Sequence, residues 1–270
     1  MDSSELLDLV KETKKQLLHL QTLGVEGVQL SKQPASTAKP VADSAVPIFQ
    51  SPSNNRPLRE KPVGVSIDTL FGDLAPQPER LAASQETFDE IHNEIGDCTR
   101  CPLHRERTTV VHTEGNRKAR LMFVGEAPGA DEDIQARPFV GRAGQLLTKI
   151  IEAIGLKREE VLIGNVNRCR PPGNRPPTPE EASMCKPFLL REIAIAQPEV
   201  IVVLGNTAMK NLLDTREGIT KLRGTFQDYK GIKVMPTFHP AYLLRDPSKK
   251  RETWEDLKKV RDYLDSTAQR

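Results

Sequence analysis

The sequence predicts a three-layer α/β/α domain around a central, mostly parallel four-stranded sheet, preceded by a largely disordered N-terminal extension. Two observations point to the domain and a third to the extension. Short apolar runs at 121–124, 161–166 and 200–204, with a weaker fourth at 232–237, have the near-continuous hydrophobicity of strands buried on both faces. Helix-period segments near 143–154, 179–196 and 207–213 alternate with them, and a charged helix near 249–264 follows with Trp254, Leu257, Val260, Tyr263 and Leu264 on one face. Before all of these, residues 31–61 turn to Pro, Ser, Ala, Asn and Gln, which cannot bury enough surface to offset their ordering entropy.

In chain order, residues 1–24 carry an amphipathic helix, with Leu6, Leu7, Val10, Leu17, Leu18 and Leu20 at helical spacing and Ser3 or Ser4 as its cap. Residues 25–79 are a mostly disordered linker with an apolar motif at 63–74; this motif or the first helix could dock a protein partner. The compact domain is expected over 80–270. Leu81, Phe88, Ile91 and Ile95 set a helical period that runs straight into Cys98. A length of 270 residues with 37% hydrophobic side chains suffices for one such core. The net charge of +2 requires any attraction to nucleic acid to come from local clustering. With no signal-peptide pattern and no apolar run of membrane-spanning length, the chain reads as cytoplasmic, and it is expected to act as a monomer.

All four cysteines fall in the expected domain: Cys98 and Cys101 as a Cys-x-x-Cys pair, Cys169 just after a strand, and Cys185 in the next helix. In a cytoplasmic chain such a set favours a metal centre over disulfides. Spacing alone leaves zinc and a [4Fe–4S] cluster level.

The sheet class puts chemistry at the carboxyl ends of the strands, and the least ordinary loops lie there. After the first strand comes GEAPGADED (125–133), a turn that exposes backbone N–H groups and carries Glu126, Asp131, Glu132 and Asp133. Four carboxylates are costly near phosphate unless they have other work. RPFVGRAGQLL (137–147) then sets Phe139 beside glycines at a helix start, as a core plug or a platform for a planar base. NVNRCRPPGNRPP (165–177) offers Asn165, whose amide can both donate to and accept from a base edge, and a stiff basic loop suited to phosphate. HPAYLLR (239–245) joins His239 to an apolar tip with a cationic end.

Together with CTRC (98–101) and Cys185, these segments resemble the family 4 uracil-DNA glycosylases over roughly residues 88–265. The resemblance implies an enzyme that flips uracil out of DNA, single- or double-stranded, and hydrolyses its N-glycosidic bond. It also implies a [4Fe–4S] cluster on Cys98, Cys101, Cys169 and Cys185. Phe139 would stack on the base and Asn165 would read its N3–H and O4 edge. Gly125, Ala127 and the backbone of their turn, with His239, would meet O2, and the loop around Glu132 would crowd the C5 position. Arg142, Arg170, Arg175, Tyr242, Leu243, Leu244 and Arg245 would face DNA. Glu126 sets the chain apart from family 5, which lacks that glutamate. A covalent histidine of a sister group has no counterpart in the stretch after Asn165. Ala127 stands where family 1 enzymes carry an aspartate, leaving Glu126, or less favoured Asp131, to orient water. Two other readings stand beside this one: a zinc- or cluster-stabilised DNA-binding module without glycosylase activity, and an interaction protein using the domain as a scaffold.

Overall fold

Mostly apolar strands hold the centre of the computed structural model, which describes residues 80–268. The expected elements at 1–24, 25–79 and 63–74 lie outside the described residues. Helix α1 (Phe88–Ile95) is capped by Thr87, whose hydroxyl and Glu90 form a reciprocal cap; that cap sets the first helical residue, Phe88, seven positions after Leu81. The remaining elements are β1 (Glu114–Gly115), β2 (Leu121–Gly125), α2 (Ala130–Gln135), α3 (Arg142–Ala153), β3 (Leu162–Asn165), α4 (Pro179–Ala196), β4 (Val200–Leu204), α5 (Asn206–Leu213), α6 (Ile219–Leu222), β5 (Gln227–Tyr229), β6 (Ile232–Thr237), α7 (Pro240–Arg245) and α8 (Lys250–Ala268).

The sheet order is β1-β3-β2-β4-β6-β5. The inner four strands are parallel, as expected, with Gly125 opposite Asn165 and Leu204 opposite Thr237. Two short antiparallel edge strands, β1 and β5, extend the sheet. They escaped sequence reading because two or three half-polar residues carry no period to detect.

The pleat sorts side chains by parity. Met122, Val124, Ile201, Val203 and Val234 meet Phe88 of α1, Leu189 and Ile193 of α4, and Met209 and Leu212 of α5. Leu121, Phe123, Val200, Val202 and Met235 face the opposite layer, Leu147 and Ile151 of α3 with Leu257, Val260 and Leu264 of α8. Each such side chain fully buried contributes about 1.5–3 kcal/mol. Gly125, Asn165 and His239 lie at or just beyond the carboxyl ends of β2, β3 and β6. No helix among the described residues is long and apolar enough to cross a membrane.

Candidate active site

Gly125 ends β2 beside Asn165, the last residue of β3. A Cβ at residue 125 would collide with Asn165 Oδ1 and with Phe139 Cζ and Cε2, so only glycine lets the three meet. Asn165 is buried, yet its Oδ1 has no hydrogen-bond partner. A buried amide oxygen left unpaired costs free energy unless a ligand completes it.

Phe139 occupies the left-handed region at φ 52°, a strained conformation for an aromatic residue. Glu132 holds it there. One carboxylate oxygen accepts from the N–H groups of Val140 and Gly141, both at 2.9 Å, and the other from Gly129 at 3.1 Å. Asp133 is also buried and accepts from the N–H groups of Thr108 (2.9 Å) and Thr109 (3.2 Å). Two of the four carboxylates thus bind backbone. Asp131 stays exposed in the first turn of α2, and Ala127 is half-buried. Glu126 is half-buried, and burial raises its pKa, partly opposed by a hydrogen bond from Thr207 at the start of α5. Asp133 and Thr207 were not singled out from the sequence. An acidic run that exceeds what a ligand needs was the signal for the first; nothing in the sequence marked the second.

His239 is the N-cap of α7, and its Nδ1 accepts from the Ala241 N–H at 3.1 Å. In the neutral ring the proton therefore sits on Nε2, as a free donor. Burial, followed by the charge of Arg245, lowers the His239 pKa to about 4, so the ring is neutral at physiological pH. Its centroid lies 5.7 Å from that of Phe139 with planes 32° apart, and α7 packs on α3. Gly205, at φ 90°, passes so close that a Cβ there would lie 3.0 Å from His239 Cβ. Gly125, Phe139, Asn165 and His239 thus form one contiguous cluster.

The expected DNA-facing set is less uniform. Arg142 at the head of α3 and Arg245 at the end of α7 are exposed. Arg170 donates to Asn174 Oδ1 at 2.7 Å, and Arg175 is engaged with both oxygens of Glu181. The 239–245 tip is a helix rather than an open wedge. Its turn leaves Tyr242 and Leu244 half-buried but sends Leu243 inward, 1% exposed, which corrects the expectation that Leu243 meets DNA.

The four cysteines are free thiols lining one recess with Ile95, Arg100, Arg168, Met184 and Phe188. Among the described residues no three side chains converge as ligands of a single metal ion. Arginine-borne N–H groups meet three of the sulfurs: Arg100 Nη1 on Cys98 Sγ (3.4 Å), Arg107 Nη1 on Cys169 Sγ (3.3 Å) and the Arg168 backbone N–H on Cys185 Sγ (3.3 Å). Burial raises the thiol pKa of Cys101 and Cys169 and takes that of Cys185 to about 11. Behind the recess Arg168 pairs with Glu192, both buried, and Thr113 Oγ1 bonds to each.

The sequence matches the Uracil DNA glycosylase superfamily over residues 112–258. It is 49% identical to the Type-4 uracil-DNA glycosylase of Thermotoga maritima over 184 residues, 67% of this chain and 96% of that one. It is 44% identical to the Type-4 uracil-DNA glycosylase of Archaeoglobus fulgidus, over 65% of this chain and 92% of that one. A Type-5 uracil-DNA glycosylase of Pyrobaculum aerophilum is 30% identical, over 61% and 87%.

Proposed function

Because the chain belongs to the uracil-DNA glycosylase superfamily and is a uracil-DNA glycosylase of DNA repair, we propose that Gly125, Phe139, Asn165 and His239 form the pocket that receives the extruded base. The observation that carries this assignment is the buried, unpaired Asn165 Oδ1 beside Phe139 and the glycine that admits them. Uracil N3–H would donate to that oxygen while the amide NH₂ donates to O4. Cytosine reverses the pattern at both positions, leaving buried polar groups unpaired, and a site of that kind rejects the wrong base strongly. Extrusion costs a few kcal/mol and least at a mispaired base, which adds selectivity before the pocket is reached.

In the reaction the C1′–N1 bond breaks with its electron pair leaving on the base, and negative charge gathers on O2. Neutral His239 supports a role there as donor through Nε2–H, joined by backbone N–H groups of the Gly125–Gly129 turn, an electrostatic contribution already in place before charge develops. Water adds to C1′ and gives up a proton, leaving an abasic site. Glu126, raised by burial and held by Thr207, is the assigned acceptor, with exposed Asp131 as the lesser candidate. Glu132 acts on C5 discrimination through the loop it fixes, since its carboxylate is engaged by backbone. Arg142, Arg245, Tyr242 and Leu244 are the groups assigned to the DNA surface, with Arg170 and Arg175 reaching phosphate only by exchanging their present partners.

The donor set fits a [4Fe–4S] cluster on Cys98, Cys101, Cys169 and Cys185. Four thiols ring a recess, none is disulfide-bonded, and N–H groups face three of the sulfurs, the kind of hydrogen bonding that tunes such clusters. When bound, the cluster supplies a rigid four-point crosslink. Arg168, Arg100 and Arg107 offset its negative charge.

The assignment is tested by incubating the protein with uracil-containing single- and double-stranded oligonucleotides, then cleaving with alkali. Strand breaks at uracil are expected from the wild type, and a strong loss from His239→Ala. A His239→Ala protein with an unchanged turnover would remove that residue from the site.

A further inference from the structure

Arg107, Thr108 and Thr109 touch both the cysteine recess and the acidic loop. Arg107 Nη1 donates to the Cys98 carbonyl at 2.6 Å and to Cys169 Sγ at 3.3 Å, while Nη2 pairs with Asp97. The next two residues donate their backbone N–H groups to Asp133, and Thr109 Oγ1 donates to the Asp133 carbonyl at 2.5 Å. Two residues on, the Val111 N–H donates to the carbonyl of Arg168, the neighbour of Cys169.

We propose that residues 107–109 form a brace coupling the cysteine centre to the base pocket, with Arg107 and Asp133 as positioning residues at its two ends. The proposal rests on the cluster and pocket assignments above. Surface pairing does not account for Arg107. Its side chain is 5% exposed while its partner Asp97 is 96% exposed, and a carboxylate in that much water contributes little. What draws the guanidinium inward is the carbonyl of one cysteine and the sulfur of another, from segments 71 positions apart (169 − 98). A fork with fixed donors suits that bridging, and its bond to a ligating thiolate is charge-assisted.

The far end leads to the pocket. Asp133 is 1% exposed and never reaches a base itself. It sits next to Glu132, whose carboxylate holds the two N–H groups after Phe139. A contiguous line of hydrogen bonds and three peptide links thus runs from Cys169 through Arg107, Thr108, Asp133, Glu132 and Val140 to the strained Phe139. Packed networks of this kind carry coupling when each member has one satisfied arrangement, and coupling must be measured at both ends.

The test compares the iron-loaded full chain with Arg107→Met, Arg107→Lys and Asp133→Asn. Two readouts are taken: decay of the cluster's visible absorbance in excess chelator, and inhibition of excision by free uracil. Arg107→Met should lose iron on the order of tenfold faster, the usual effect of removing a ligand's hydrogen-bond partner, and uracil inhibition should weaken as iron is lost. Arg107→Lys keeps the charge without the fork and should fall between. Asp133→Asn should hold iron like the wild type but bind uracil on the order of tenfold more weakly, since a 1 Å misplacement suffices for larger losses. Iron retention and uracil inhibition unchanged in Arg107→Met, or uracil inhibition unchanged in Asp133→Asn, would overturn the brace. If Arg107→Met fails to fold, the Lys and Asn variants decide. A wild-type chain purified anaerobically without iron is a distinct failure: it overturns the cluster assignment, and the brace with it.

Discussion

The proposed base pocket and the cysteine recess are held by opposite means. At the pocket, carboxylates grip backbone: Glu132 and Asp133 accept from five N–H groups, of Gly129, Val140, Gly141, Thr108 and Thr109. At the cysteines, arginines grip sulfur and carboxylate, with Arg168 and Glu192 sealed from water at 1% and 0% exposure. The difference suits what each region is proposed to receive. A pocket for a neutral base that leaves as an anion needs its own negative groups neutralised by N–H bonds and a neutral His239 as donor. A site for four thiolates needs permanent positive charge close by. One region is shaped by chain geometry and the other by charge balance, so they should break differently.

On the pocket side, added bulk at Gly125 should act on rate. Gly125→Ala drives a methyl into Asn165 and Phe139, and turnover on uracil-containing DNA should fall on the order of 10²-fold or more, since displacements near 1 Å have that consequence. The urea midpoint should move far less than the rate; a nearly normal rate would show that the pocket is not where the three groups meet. The cysteine side should respond in stability. Glu192→Gln leaves Arg168 buried without its counter-charge, which costs roughly 3–5 kcal/mol, read as a lower urea midpoint. A loss under about 1 kcal/mol would mean that water reaches the pair.

Smaller, and shared by both regions, is a dependence on pH. Burial lowers His112, which stacks on His92 near Glu192, and His239 of the proposed pocket, each to about 4 from an ordinary 6.5. Between these values the unfolded chain binds protons that the folded chain does not, so stability rises with pH through that window. The contribution is complete above about pH 6.5 and is lost as pH falls toward 4. The urea midpoint should therefore drop between pH 7 and pH 5, and the part of that drop due to His239 should vanish in His239→Asn. A midpoint that rises on acidification would contradict the burial of both rings.

Much of this was legible in the sequence, for a physical reason. The four inner strands are buried on both faces, so their apolar runs stand out, and Leu121, Val200 and Ile232 begin strands where the runs begin. That Phe139, Asn165 and His239 come together was legible because glycine- and proline-rich loops at strand ends bring unusual side chains forward. Partnerships were not legible. Glu132 reads as a pocket wall until its carboxylate is seen on backbone, and Thr207 reads as an ordinary first-turn residue until it meets Glu126. Leu243 looks like a wedge in an extended tip, and only the helical turn of α7 sends it inside.

The central claim is that Asn165 reads the base in this pocket. It is tested most directly by measuring excision of uracil from a single-stranded oligonucleotide by wild type and Asn165→Ala, with urea midpoints taken in parallel. The account predicts a rate lower on the order of 10³-fold or more, as expected where a site's hydrogen bonds to its substrate are removed, with the midpoint preserved. Equal rates from two equally stable proteins would contradict it.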